Sequence, residues 1–369
     1  MPELPEVETV RRGLERLLVS RRLTELVVRE AKSWQIDPVL LEADPAPAAT
    51  AGAISDQAPP PTPDPGSISD PAPPSAPTAE PVPDAAPPSA PSSGSIPDSV
   101  PPSAPARPPA PPLSLDQAWL QARDRHLIGA RVAGARRRAK VLILDLDNGN
   151  SLVCHLKMTG QMVVRGDEDW GAGHPTDSLL ARLPDRSTRL EFGFEADWRL
   201  FFNDQRKFGW VRLMPTAAVE QLSFIASLGP EPFDPDGFAE FQRRIARHGR
   251  TSVKAALLDQ SVVAGIGNIY ADESLWAGRV HPARPVAQVS DAKLRQLWRA
   301  AAEVMRLSIE LGGSTDRNYV DAEGKRGSYL GFANVFRREG QPCPRCGATI
   351  VKTRVAGRGT HLCPHCQRL

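Results

Sequence analysis

The chain opens MPELPEVETVRRGL over residues 1–14, with one proline directly behind the initiator methionine and a second, Pro5, at the head of an amphipathic run. Val7, Val10, Leu14, Leu17 and Leu18 recur at helical spacing. They predict a helix over residues 5–19, with Pro5 at its first position and Glu6 and Glu8 at its positive end. Methionine before a small residue is ordinarily trimmed. The secondary amine of Pro2 would then titrate near ~8, against ~10.4 for a lysine, leaving far more of it an uncharged nucleophile at neutral pH. Such an amine, attacking a sugar aldehyde carbon, gives an iminium, which is an electron sink. From these residues alone, a catalytic amine and a plain helix start stand level.

Downstream of this helix, short apolar runs follow at Leu23 to Val28, Val141 to Leu146, Ser151 to Val164, Arg189 to Phe194 and Arg199 to Phe202, and they read as an antiparallel sandwich. Cys154, in the third run, reads as a buried inert thiol. Leu228-Gly-Pro-Glu-Pro232 is a breaker cluster and a natural hinge. The pattern then turns helical, at Gly237 to Arg247, Ser252 to Gln260, Ile269 to Ala277 and Asp291 to Leu311. At the far end Cys343-Pro-Arg-Cys346 and Cys363-Pro-His-Cys366 form two C-x2-C knuckles sixteen residues apart, a zinc spacing. Four thiolates close a tetrahedral shell with no open position, so one structural zinc is expected.

Proline is concentrated in one place: residues 45–112 hold 24 of the 38 prolines, no aromatic residue, and six acids against Arg107 alone. The segment repeats every fourteen residues, as AISDQAPPPTP from 53, SISDPAPPSAP from 67, PVPDAAPPSAP from 81 and SIPDSVPPSAP from 95. No unit carries enough apolar surface to stack, so it reads as a disordered, polyproline-leaning insert, with a tract for a proline-recognising partner as the second reading. Its net −5 in a chain of +2 leaves +7 on the remainder, which suits a polyanion. The basic clusters are Arg136 to Lys140, Arg243 to Lys254 and Arg354 to Arg358, each of which alone reads as a solvated face. There is no apolar stretch long enough to span a membrane and no secretory leader, and reduced thiols fit an intracellular, cytoplasmic protein.

Between two predicted helices lies Val262-Val-Ala-Gly-Ile-Gly-Asn-Ile-Tyr270. Glycines at 265 and 267 let a ligand approach closely, and the amides of the helix that Asn268 starts suit a phosphate. Taken by itself the motif is weak, and an ordinary helix-turn-helix corner capped by Asn268 is the favoured reading.

Taken together, PELPEVET, RRRAK at 136–140, HLKMTG at 155–160, NDQRKFGW at 203–210, LGPEP at 228–232, LLDQSVVAGIGNIYADESL at 257–275, GGST at 312–315 and the four cysteines resemble the formamidopyrimidine-DNA glycosylases, bacterial enzymes that remove oxidised purines such as 8-oxoguanine. The resemblance covers residues 1 to about 42 and 113–369. It implies an α+β chain, with an N-terminal helix and antiparallel β-sandwich over residues 1–215, a hinge over 216–232, and a helix-two-turn-helix domain over 233–311. A lesion-recognition loop region over 312–334 and a four-cysteine zinc finger over 335–369 complete it. Implied roles are Pro2 as the Schiff-base nucleophile, Glu3 as the acid on the deoxyribose ring oxygen, Lys140 in base excision and β-elimination, and Arg358, at the finger's hairpin tip, gripping a phosphate for δ-elimination. Met158, Arg206 and Phe208 would fill the hole left by an everted base, replacing its lost stacking. Lys254 and Asn268 would contact phosphates, and Glu273 would hold the nearby corner.

Two stretches depart from the family. Asp185-Arg-Ser-Thr-Arg189 stands where a His-x-His-Val segment is common, which weakens any DNA contact by His174, and Arg317 occupies the lesion loop where lysine or arginine is usual. The expected partner is damaged duplex DNA, bound by a monomer associated with the nucleoid and needing no redox or nucleotide cofactor. Two alternatives stay open: an endonuclease VIII-like enzyme for oxidised pyrimidines, whose usual glycine is replaced here by Leu4, and a non-catalytic zinc protein that binds DNA. Deleting residues 45–112 is expected to leave excision nearly intact, because closure cost changes slowly with loop length. Steady-state excision by the deletion variant checks this, and a large loss of turnover in a folded variant would give the repeat a part in the chemistry.

Overall fold

The computed structural model describes residues 2–42, 115–174, 176–314 and 329–369. The proline-rich insert and Arg317 therefore lie outside the described residues. Helix α1 (Leu4–Leu18) begins one residue earlier than its periodicity predicts, and its first turn is closed by Glu6 Oε2, which accepts the backbone N–H of Glu3 at 2.7 Å. The two short helices α2 (Pro38–Glu42) and α3 (Leu115–His126), absent from the sequence reading, pack together where the chain leaves for the insert and returns from it.

Ten strands form the sandwich: β1 (Leu23–Val28), β2 (Trp34–Ile36), β3 (Val132–Arg138), β4 (Val141–Leu146), β5 (Asn150–His155), β6 (Gly160–Arg165), β7 (Trp170–Gly173), β8 (Thr188–Phe194), β9 (Arg199–Asp204) and β10 (Trp210–Pro215). One sheet runs β1-β8-β9-β6-β7 and the other β2-β10-β5-β4-β3. All pairings are antiparallel except β2 with β10, a parallel edge that the alternation pattern does not reveal. The apolar run from Ser151 to Val164 is two strands and not one. Its middle turns at Leu156–Thr159, with Lys157 in the left-handed region at φ 49°, and this turn lifts Met158 out of the sheet. Cys154 is buried in the core as expected, and desolvation raises its pKa.

Beyond β10 come α4 (Ser223–Ala226), α5 (Gly237–Ala246), α6 (Val253–Leu258), α7 (Asn268–Ala277) and α8 (Asp291–Glu310), then the hairpin β11 (Val351–Val355) and β12 (Arg358–Leu362). Two large apolar cores result among the described residues, with three smaller clusters beside them. Val7, Val10, Leu14 and Leu18 of α1 belong to the sandwich core, whereas Leu4, at the tip of the same helix, is buried among Val263, Ile266, Tyr270 and Met305 in the helical core. Helix α1 thus has a foot in each core, and its N-terminal tip is the foot in the helical one.

The basic cluster at 136–138 is not a free anion-binding face. Arg136 pairs with Asp145 and Glu220, Arg137 with Glu8 and Glu231, and Arg138 with Glu231, at 2.7–3.1 Å. Glu231, from the breaker cluster, also accepts the N–H of Ala139 at 2.7 Å and so fixes the left-handed turn (Ala139 φ 51°) that presents Lys140. These arginines join parts of the fold, so the charge count alone overstated the surface available to a polyanion.

Candidate active site

The α6–α7 turn is built to receive the N-terminus of the chain. Gly265 O accepts the N–H of Leu4 at 3.1 Å, and Gly265 sits at φ 93° with Leu4 so close that an added Cβ would meet Leu4 Cδ1 at 2.4 Å. Gly267 faces the carboxyl of Glu3, where a Cβ would meet Cδ at 2.2 Å. Glu3 accepts the N–H of Gly267 at 2.7 Å and of Ile269 at 3.1 Å, at the positive end of α7. The anion that the sequence places at these amides is therefore the chain's own Glu3, and Asn268 is the first residue of α7 without capping it, since the cap position is Gly267.

Glu3 is almost fully buried, and desolvation, helped by the nearby Glu6 carboxylate, raises its pKa to about 7 against the opposing pull of Lys140 and the Ile269 amide. Lys140 is also buried, donating from Nζ to Ile266 O at 2.7 Å, and burial lowers its pKa although Glu3 and Glu6 favour the charged form. Glu6 accepts from Tyr270 Oη at 2.5 Å and from Ser314 N at 2.7 Å, tying the start of the 312–334 region to the N-terminal tip. Pro2, Glu3, Lys140, Met158, Asn268 and Arg358 share one cavity of about 350 Å³. His174 lines it too, despite the lost histidine pattern, and burial lowers its pKa. No motif in the sequence points to it there.

Met158, Arg206 and Phe208 meet at an exposed ridge made by the β5–β6 and β9–β10 turns. Arg206 Nη1 lies 3.0 Å from Met158 Sδ, and its guanidinium stands 5.0 Å from the Phe208 ring centroid. Met158 and Phe208 are 37% and 53% exposed, and both flank Arg206 on this outward ridge. Buried Asp204 holds the ridge: it accepts N–H groups of Arg206, Phe208 and Gly209 at 2.7–3.1 Å and the hydroxyl of Thr159. The sequence reading missed Asp204. An acid two residues before Arg206 in a turn was the available signal.

Lys254 departs from its expected role. It has no exposed surface, pairs with Asp272 at 2.6 Å, and donates to Gly359 O at 3.0 Å and Thr360 Oγ1 at 2.8 Å, so all three ammonium hydrogens have partners within the protein and none is left for a phosphate. Asn268 Nδ2 also donates to Gly359 O, at 3.1 Å. Glu273 does not hold the α6–α7 corner either. It accepts from Tyr329 Oη, Asn334 N and Nδ2, Val335 N and Phe336 N at 2.8–3.2 Å and so anchors the segment entering the finger.

The sulfur atoms of Cys343, Cys346, Cys363 and Cys366 lie within 4.8 Å of one another, close to the ~3.8 Å edge of a tetrahedron built on ~2.3 Å Zn–S bonds. Trp276 Nε1 points at Cys343 Sγ at 3.4 Å, a donor suited to a thiolate. The donor set fits one structural zinc ion. Arg358 opens β12 directly after the Ala356-Gly357 turn, where both residues are left-handed (φ 49° and 74°), the geometry of a tight hairpin.

A buried acid and a buried lysine line one cavity with Pro2, beside an exposed apolar ridge and a four-cysteine cluster, a combination suited to acid–base chemistry on a nucleic acid. Residues 1–53 and 113–211 match the formamidopyrimidine-DNA glycosylase N-terminal domain, 228–319 the H2TH domain of the same enzymes, and 340–369 the zinc finger found in FPG and IleRS. A formamidopyrimidine-DNA glycosylase of Enterococcus faecalis is 32% identical over 371 residues, covering 100% of this chain and 98% of the relative. One from a Roseiflexus species is 42% identical over 242 residues, 66% of this chain and 83% of the relative. Lactococcus lactis Fpg, solved with abasic-site DNA, superposes with TM-score 0.68 at 27% identity over 100% of both chains. The chain belongs to the formamidopyrimidine-DNA glycosylase family.

Gly267→Ala is expected to push the Glu3 carboxyl off its amides and to lower 8-oxoguanine excision by about a hundredfold or more, as removing a positioned acid does, with the fold and zinc content retained. Single-turnover excision alongside circular dichroism and zinc analysis checks it. Cys363→Ser should release the zinc and abolish affinity for damaged and undamaged duplexes alike, while the separately cored sandwich stays folded. Normal DNA affinity in a zinc-free protein would contradict that expectation.

Proposed function

We propose that Pro2, freed of Met1, attacks C1′ of an everted oxidised nucleotide while the Glu3 carboxylic acid protonates the deoxyribose ring oxygen, releasing the base and leaving an iminium. The chain is a DNA glycosylase and abasic-site lyase for oxidised purines in DNA repair, and the proposal concerns how its own residues do this. The observation that carries it is Glu3. An acid with its pKa raised to about 7, buried next to Pro2, is protonated often enough at neutral pH to act as a general acid. Lys140, its charge disfavoured by burial, takes up and returns protons in base loss and β-elimination. Arg358 at the cavity edge grips the phosphate whose departure completes δ-elimination.

Damaged duplex DNA is the partner, and Met158, Arg206 and Phe208 fill the space that the everted base leaves. Several related Lactococcus lactis structures carry abasic or formamidopyrimidine DNA, and one carries an oxidised pyrimidine, but neither the endonuclease VIII-like alternative nor the non-catalytic zinc protein is favoured. No helix among the described residues is long and apolar enough to cross a membrane. We place the enzyme, as a monomer, in the cytoplasm at the nucleoid, where this substrate lies.

Borohydride is expected to link the protein covalently to 8-oxoguanine duplex DNA through Pro2, because an iminium is reducible and an ordinary complex is not. An adduct mapped to Lys140, or none, would sink the mechanism. Glu3→Gln should lower excision by about a hundredfold while largely sparing cleavage at a preformed abasic site, whose open aldehyde needs no ring protonation. In the wild type, loss of the Glu3 proton above about 7 should turn the pH profile downward on its alkaline side, against the rise that deprotonation of Pro2 near ~8 brings, and the variant should lack that downward turn. Parallel loss of both activities would instead make Glu3 a structural prop.

A further inference from the structure

Arg358 sits on a two-stranded hairpin whose tip must be held still if its guanidinium is to meet one phosphate. The three residues that follow it are all tied to the body of the protein through α6 and α7: Gly359 O accepts from Lys254 Nζ and Asn268 Nδ2, Thr360 Oγ1 meets Lys254 Nζ, and His361 N donates to Asp272 Oδ2 at 2.9 Å. Asp272 is common to most of this. It has no exposed surface, its Oδ1 holds Lys254 at 2.6 Å, and its Oδ2 also lies 3.3 Å from His361 Nδ1. It stands one helical turn after Asn268, so both reach the hairpin from the same face of α7.

We propose that Asp272 is a positioning residue for Arg358: by fixing Lys254 and the backbone at His361 it sets where the hairpin tip stands relative to the Pro2 cavity. The inference rests on the reading of Arg358 as a phosphate ligand. Its physical basis is the dependence of the buried pair on its partners. A desolvated ammonium is tolerated because Asp272, Gly359 and Thr360 satisfy it together. Replacing the carboxylate by an amide of the same shape leaves Lys254 an under-compensated charge, which is relieved by drawing the ammonium, and the tip bonded to it, away from the helix. The same helix seats Glu3 at its first turn, so Asp272 ties acid and phosphate ligand to one rigid ruler.

The test is a double-mutant cycle on the full, zinc-loaded chain with preformed abasic-site duplex. Asp272→Asn should keep stoichiometric zinc and the borohydride-trapping rate at saturating DNA, yet raise KM about tenfold and lower the share of δ-elimination product, effects that a general loss of stability would not separate in this way. In an Arg358→Ala background the same change should add nothing. Full additivity with an impaired Arg358→Ala, or an unchanged KM and product ratio in Asp272→Asn, would overturn the inference and leave the role of Arg358 standing. Wild-type behaviour of Arg358→Ala would remove that role and the inference with it. Should Asp272→Asn lose zinc, Asp272→Asn combined with Lys254→Met decides by the same cycle, because it removes the ion pair and its hairpin contacts without leaving a buried charge unpaired: coupling to Arg358 supports the inference, and additivity or no effect overturns it.

Discussion

Everything at this site depends on one seat: the carboxyl of Glu3 at the positive end of α7, with Leu4 buried behind it and two glycines clearing the space. Without that docking, the start of the chain would be a frayed terminus of the kind most proteins have. With it, Pro2 is held against a cavity whose other walls come from the sandwich, the helices and the zinc hairpin. The seat also sets the chemistry. Burial and the Glu6 carboxylate favour the acid, Lys140 and the Ile269 amide favour the carboxylate, and the former win by enough to bring the pKa to about 7.

Helix α7 distributes this order along its length. Its first amides take Glu3, Asn268 and Asp272 reach the hairpin, Glu273 gathers five hydrogen bonds from residues 329–336, and Trp276 meets the cysteine cluster. Almost every polar group on that helix is therefore internal. The helix is nearly uniform around its circumference, with Tyr270, Asp272, Glu273 and Ser274 all buried, so no single apolar stripe marks it.

Much of the site was legible because its chemistry is local. The cysteine spacing and the helical period after Pro5 are each read within a few residues, whereas the grouping of Met158, Arg206 and Phe208 comes from the family resemblance, since by themselves Met158 and Phe208 read as core residues on strand ends. What was not legible is pairing across the fold. Arg137 and Lys254 look alike in sequence, as cations available to DNA, until Glu231 and Asp272 arrive from elsewhere in the chain to bind them. The parallel β2–β10 edge and the turn inside the 151–164 run failed for a related reason: alternation fixes which face a residue occupies, but neither the partner of a strand nor a left-handed Lys157. Gly265 and Gly267 were recognised as a place of close approach, while the identity of what approaches, the chain's own N-terminus, was beyond the reach of a local motif.

The most direct test of the Glu3 seat is the titration of that one carboxyl in the mature enzyme, followed by the side-chain carboxyl carbon resonance of 13C-labelled glutamate and assigned by its absence in Glu3→Gln. A carboxyl buried in this seat titrates with a midpoint of about 7, its resonance still moving well above the pH at which exposed glutamates have finished titrating. A midpoint in the ordinary range near 4.5 would mean that the carboxyl is solvated or fully ionised in its seat, and would contradict the claim that burial at the head of α7 makes Glu3 the acid.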